Sequence, residues 1–284
     1  MNNPKISIIV PTYGRAEYLK NLIASIRAFT PRDVYELVVI SSDLPESEKV
    51  KWLSQQEDVN LILADARKKW QLRKKSSCYY VNLGIKKSKR EWVFVISDDV
   101  CFCEGWYEEF VNLLSNPDDS NAGMIIILSH IGKVRHGRRI VKIGKTKKGD
   151  GDWKDLYLSD FSIIAKNVLE EIGLFDEKLD QFGCGADNSL AIEFLTNKNT
   201  VVSEKIRVDH FVADENRSVG NEFEDFNYII RKWNKWCRVN NCQYIWDPKI
   251  KPYTLKNRLV NYLYQKARIL RHYGRYIMGT YRQK

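Results

Sequence analysis

The 284-residue chain lacks any apolar run long enough to cross a bilayer, which excludes a membrane-spanning helix as its organising feature. It also lacks a secretory pattern: only a few polar residues precede Ile6-Ser7-Ile8-Ile9-Val10, and no small-residue cleavage site follows, so a place on the cytoplasmic side of a membrane is expected. Cysteine is sparse and scattered. Cys78, Cys101, Cys103, Cys184, Cys237 and Cys242 show no paired C-x-x-C spacing, which argues against a zinc cage, and without export nothing favours a disulfide framework. They are expected as reduced thiols, mostly packing, with Cys101 and Cys103 alternating along one face of an extended segment.

Charge is plentiful, with a formal balance of +10. Lysine and arginine can neutralise phosphates, but here they are spread over 67–90, 133–148 and the last thirty positions. No helix-turn-helix, zinc-finger or RNP-like pattern accompanies them, so no specific nucleic-acid partner is expected. From about Pro252 onward, Leu255, Leu259, Tyr262, Leu263, Tyr264, Ala267, Leu270 and Tyr273 recur among basic residues. That spacing predicts a basic amphipathic helix over 251–284, which either lies on an anionic membrane surface, making the protein peripheral on the inner membrane face, or packs back on the main domain.

The 44% hydrophobic content suffices for one substantial core, or for one core plus a modest appendage. Short β-rich runs alternate with helical patterns: 5–10, 36–40, 60–63, 92–96 and 124–128 read as strands. Leu19, Leu22, Ile23 and Ile26 form a helical stripe, and further helices are expected over 76–87 and 104–114. The fold class is therefore α/β, a mainly parallel twisted sheet flanked by helices. The segment 132–153, rich in glycine and lysine, lacks apolar periodicity and is expected as a long surface loop, either an acceptor-side flap or a disordered insertion.

Such sheets bind ligands beyond the carboxyl ends of their strands, and polar residues stand there repeatedly. Pro11-Thr12-Tyr13-Gly14-Arg15 follows the first run, Ser41-Ser42-Asp43 the second, and Ser97-Asp98-Asp99 the fourth. A carboxylate pair after a buried strand suits a hard divalent cation such as Mn2+ or Mg2+, although it could equally cap the next helix. Asp187 stands among glycines at the expected start of a helix over 188–195, where it could be an N-cap. His210 follows another strand-like run and by itself reads as a packing or surface residue.

The joint order of these segments carries more than any one of them. "ISIIVPTYGRAEYLKNLIASI", "NLGIKKSKREWVFVISDDV" and "IGLFDEKLDQFGCGADNSLAIEF" together resemble the family 2 glycosyltransferases, inverting enzymes of the GT-A fold, over roughly residues 5–212. The resemblance implies a catalytic domain over 1–250, with a nucleotide-binding half over about 1–100 and an acceptor-side half over about 101–250. It implies Asp99 as metal ligand with His210 nearby, Asp98 facing the ribose or the metal, and Asp187 as the general base. Pro11, Thr12, Tyr13 and Arg15 would line the nucleotide, and Asn82 would approach the donor. Two departures stand out. Ser41 replaces the aspartate that usually meets the uracil ring, so base preference depends on the serine hydroxyl or on Asp43, and Ala186 replaces a common glutamate.

The implied reaction is one in-line displacement. A nucleotide diphosphate sugar is the donor, UDP-sugar favoured, and a hydroxyl on a glycan or lipid-linked glycan is the acceptor. No second carboxylate is needed, unlike in a retaining glycosidase. A sugar nucleotidyltransferase is disfavoured because its glycine-rich, arginine-bearing loop is missing after the first strand. A non-catalytic nucleotide-sugar or glycan-binding protein of the same fold is the main alternative. Trp153, Tyr157, Phe161 and Phe182 could stack on sugar rings or complete the core.

Overall fold

The computed structural model describes residues 3–64, 76–131, 137–138, 140–159, 161–179, 183–211 and 222–246. The expected basic helix over 251–284 lies outside the described residues, as does Phe182.

The chain begins with β1 (Ile6–Thr12), α1 (Ala16–Phe29), β2 (Tyr35–Ser41), α2 (Glu48–Ser54) and β3 (Val59–Leu63). Then come α3 (Ser77–Lys87), β4 (Trp92–Val95), β5 (Val100–Phe102), α4 (Trp106–Ser115), β6 (Ala122–Ile131), β7 (Gly137–Arg138), β8 (Ile140–Lys148) and β9 (Lys154–Ser159). The last described elements are β10 (Ser162–Ala165), α5 (Lys166–Glu171), α6 (Cys184–Leu195), β11 (Asn199–His210), α7 (Glu222–Asn240) and β12 (Cys242–Trp246). The main sheet runs β3-β2-β1-β4-β10-β6-β11-β5, with β7 paired to β6.

Alternation along the strands explains why this sheet is covered on both faces, since successive side chains point to opposite sides. Ile6, Ile8 and Val10 of β1 join the layer that holds Leu19, Leu22, Ile23 and Ile26 of α1. Ile9 points the other way, toward Val81 and Ile85 of α3 and toward the residues of α6 and α7. Burying each such aliphatic side chain contributes about 1.5–3 kcal/mol, so the two layers fix which face each helix covers. Gly84 lets α3 lie close on the sheet: a Cβ there would stand 2.6 Å from Ile9 Cγ2 and 2.7 Å from Ile40 Cδ1.

Two expectations need correction. The sheet is mixed rather than mainly parallel, because β10 enters antiparallel between β4 and β6, and β5 pairs antiparallel with β11. Most of 132–153 that is described is strand, not loop: β8 pairs antiparallel with both β9 and β12 in a separate three-stranded sheet. Its lysines gave no clear alternation, yet Ile143 and Thr146 are buried. Ile143 and Leu156 of this small sheet pack in the same apolar cluster as α6 and α7.

Candidate active site

The strand ends gather most of the predicted residues. Pro11 and Thr12 close β1, and Gly14 and Arg15 then both adopt left-handed backbone, at φ 65° and 45°. That conformation is uncommon for arginine. Arg15 reaches the carboxylate pair that follows β4. Its Nη2 stands 2.6 Å from Asp98 Oδ1, and its Nη1 donates to Asp99 Oδ2 at 3.1 Å. Thr12 Oγ1 donates to Asp98 Oδ2 at 2.6 Å, and Ser97 Oγ donates to Asp99 Oδ1 at 2.5 Å. Tyr13, 56% exposed, faces solvent instead.

His210 arrives by strand register. β11 pairs with β5 so that His210 stands opposite Val100, and the Phe211 amide donates to the Asp99 carbonyl at 2.9 Å. Its Nε2 lies 3.4 Å from Asp99 Oδ1, with the Phe161 ring edge-on at 5.1 Å. Phe161 thus backs the histidine as a buried residue.

Different partners split the two carboxylates. Burial pushes Asp98 up to about 6, despite the lowering effect of the Arg15 charge and the Thr12 hydrogen bond. Burial acts on Asp99 too, but hydrogen bonds from His210 and Ser97, with the charges of His210 and Arg15, outweigh it and hold this group below the usual carboxylate range.

A residue that sequence reasoning missed underpins this cluster. Lys49 of α2 is buried; its Nζ donates to Thr12 Oγ1 at 3.1 Å and to the Gly14 carbonyl at 2.7 Å, and it pairs with Asp43. Desolvation lowers its pKa even so. Asp43 accepts from the Gly14 amide at 3.0 Å and from Ser41 Oγ at 3.0 Å, so Ser41 and Asp43 brace the first loop. The signal was a lysine directly before the buried Val50 in a short helix, which sequence alone reads as a solvated charge.

Asn82 and Asp187 form a second group. Asn82 Nδ2 donates to the Phe175 carbonyl at 2.9 Å and to Glu177 Oε1 at 3.1 Å, while its Oδ1 accepts from the Phe175 amide at 3.1 Å. Asp187 is not an N-cap. The cap position of α6 belongs to Gly183, whose left-handed backbone (φ 77°) and missing side chain leave room for Ile229. Asp187 instead accepts from Trp233 Nε1 at 2.7 Å and from Lys232 Nζ at 2.8 Å.

Lys232 also donates to Asp176 Oδ2 at 2.9 Å, where Tyr228 Oη donates at 2.7 Å. Burial raises the pKa of Asp187, with Lys232 and Trp233 acting against it. Asn82, Phe175, Asp176, Asp187, Lys232 and Trp233 line a cleft of about 340 Å³. Arg15, Asp98, Asp99 and His210 are not among its described walls. Residues 180–182 and 212–221, next in chain to Asp187 and His210, lie outside the described ones.

Two carboxylates offer the hard oxygen donors that Mn2+ or Mg2+ prefers, and an imidazole stands beside them. Asp98 Oδ1 supports the fit, being buried and touching the Arg15 charge without a well-aligned hydrogen bond. Among the described residues, however, no three His, Cys, Asp or Glu side chains converge into a ready cage. A sparse protein shell suits an ion that takes further ligands from phosphate and water.

The profile of glycosyl transferase family 2 matches residues 7–173, more than half of the chain. The chain belongs to that family. O-antigen biosynthesis protein RfbC of Myxococcus xanthus is 24% identical over 253 residues, covering 82% of this chain and 19% of RfbC. The poly(ribitol-phosphate) beta-N-acetylglucosaminyltransferase TarP of Staphylococcus aureus (strain N315) is 28% identical over 242 residues, covering 79% of this chain and 65% of TarP. The chain therefore spans less than two thirds of either relative. Among solved structures, the mannosyltransferase PcManGT from Pyrobaculum calidifontis, in complex with GDP-Man and Mn2+, superposes with a TM-score of 0.57 at 14% identity. That match covers 89% of this chain and 68% of PcManGT. The fold of this family 2 member is GT-A.

Proposed function

We propose that this family 2 protein is an inverting, metal-dependent glycosyltransferase. It moves a sugar from a nucleotide diphosphate donor, UDP-sugar favoured, to a hydroxyl on a glycan or lipid-linked glycan. The observation that carries this reading is the charge cluster at the strand ends, where Arg15 bridges Asp98 and Asp99 beside His210. Two buried carboxylates there are balanced by a guanidinium that a diphosphate could attract away.

Asp98, Asp99 and His210 would hold Mn2+ or Mg2+, which when bound neutralises charge growing on the departing diphosphate. Arg15, released from the carboxylates, would then meet phosphate oxygens. Asp187 would accept the acceptor's proton. Each of its oxygens receives one hydrogen bond, and a carboxylate has lone pairs for more. Lys232 keeps it oriented and sets its basicity. RfbC and TarP, named for O-antigen biosynthesis and for poly(ribitol-phosphate) glycosylation, support a surface polymer or its lipid-linked precursor as the acceptor class. The mannosyltransferase in complex with GDP-Man and Mn2+ supports the choice of ion.

A second reading, a binding protein without turnover, draws on the occupancy of both Asp187 oxygens by Lys232 and Trp233. Incubating the chain with a panel of nucleotide diphosphate sugars, with and without Mn2+, separates the two. Metal-dependent release of nucleoside diphosphate supports the transferase, while saturable donor binding with no release across the panel would establish the second reading.

A further inference from the structure

α3 and α6 meet at their first turns, and the residues that touch are both cysteines. Cys78 Sγ and Cys184 Sγ stand 3.1 Å apart, although 106 positions separate them in the chain. Neither is in a disulfide; Cys78 is buried and Cys184 half-buried. A disulfide needs about 2.05 Å between sulfurs, so closing the pair asks for roughly 1 Å of movement. Each residue lies within the first two positions of its helix.

We propose that Cys78 and Cys184 are a redox modification site: they form a reversible intramolecular disulfide that ties the helix carrying Asn82 to the start of the helix carrying Asp187. The half-buried Cys184 is the point of entry for a small oxidised disulfide such as oxidised glutathione. Its thiolate attacks one sulfur of that molecule, forming a mixed disulfide and expelling one glutathione thiolate. The Cys78 thiolate then attacks the Cys184 sulfur, the protein disulfide forms, and the second glutathione thiolate leaves. Two protein thiols are oxidised, one small disulfide is reduced to two thiols, and the two protons leave the protein thiols and pass through solvent to the expelled glutathione thiolates. The hydrogen bond shared with Cys78, together with burial, raises the Cys184 thiol, so exchange accelerates as pH rises.

The site stands independently of the proposed transfer activity. The test treats the full chain with oxidised glutathione at mildly alkaline pH, then alkylates the remaining thiols and maps the peptides by mass spectrometry. The expected result is a cross-linked peptide pair containing Cys78 and Cys184, with the other four cysteines still alkylated. Closing so long a loop should raise the melting temperature by several degrees, reversed by dithiothreitol. Cys184→Ser, at the half-buried position, should give no cross-link and no shift. Cys78→Ser is expected to retain glutathione on Cys184 because the resolving thiol is gone. Both cysteines staying alkylatable in the wild type, a glutathione adduct that never resolves, or a cross-link joining other cysteines would each overturn the proposal.

Discussion

Lys232 donates to Asp187 at 2.8 Å and to Asp176 at 2.9 Å, so one ammonium on α7 holds two carboxylates from separate segments of the chain. Burial raises the pKa of Asp187, while at Asp176 hydrogen bonds from Lys232 and Tyr228 overcome the effect of burial and lower it. Burial thus leaves Asp187 more basic than the partly exposed Asp176 although both share one cation, a split suited to proton transfer.

Replacing Asp187 by Asn tests the assigned base. Asparagine can accept at only one atom, so its amide must face either Lys232 or Trp233, donor against donor. A stability loss of about 1–3 kcal/mol is expected. Transfer should fall by roughly 10²–10⁴-fold, while donor binding survives. Initial rates measured well below the melting temperature, beside donor titrations, check this; near wild-type turnover removes Asp187 from the chemistry.

Lys232→Met changes the pH profile. The ammonium lowers the pKa of Asp187, so its removal raises that pKa further. A base is active when deprotonated, and the acidic limb of kcat against pH should therefore move to higher pH. An unmoved limb would show that another group sets it.

Arg15→Ala leaves Asp98 and Asp99 without their shared guanidinium. The expected result is a lower melting temperature in the absence of metal, since breaking a largely buried ion pair costs about 3–5 kcal/mol, less here because Arg15 retains some exposure. Mn2+ should raise the melting temperature of the variant more than that of the wild type, because no side-chain cation competes for the carboxylates. Equal shifts in both proteins would argue against competition at this place.

Gly84→Val tests the close approach of α3 to the sheet. The new Cβ would meet Ile9 Cγ2 at 2.6 Å and Ile40 Cδ1 at 2.7 Å, both on buried residues. Overpacking of this kind costs about 1–3 kcal/mol, and a shift in the urea midpoint at constant slope would measure it.

Much of the site's first group was legible because local chemistry names it. Thr12, Arg15, Asp98 and Asp99 sit directly after apolar runs, and a parallel sheet delivers the ends of β1 and β4 to one place. Lys49 escaped notice because an isolated lysine in a polar helix looks like any solvated charge; only packing shows its ammonium against Thr12 and Gly14. Lys232 and Trp233 escaped for a related reason: their partner Asp187 lies more than forty positions earlier, and no periodicity links the two. By composition β8 resembles a loop because lysines fill its exposed positions, whereas its pairing with β9 and β12 supplies the order that its composition does not.

The sequence by itself determined the alternation of strands and helices, the apolar stripe of α1 and the polar residues at the strand ends, since these follow from side-chain spacing over a few residues. Only the tertiary structure decided that β10 runs antiparallel through the sheet, that Arg15 bridges the two aspartates, and that Asp187 answers to Lys232 and Trp233. Those outcomes depend on which distant segments meet, and on the cost of burying a charge without a partner, quantities that no local pattern contains.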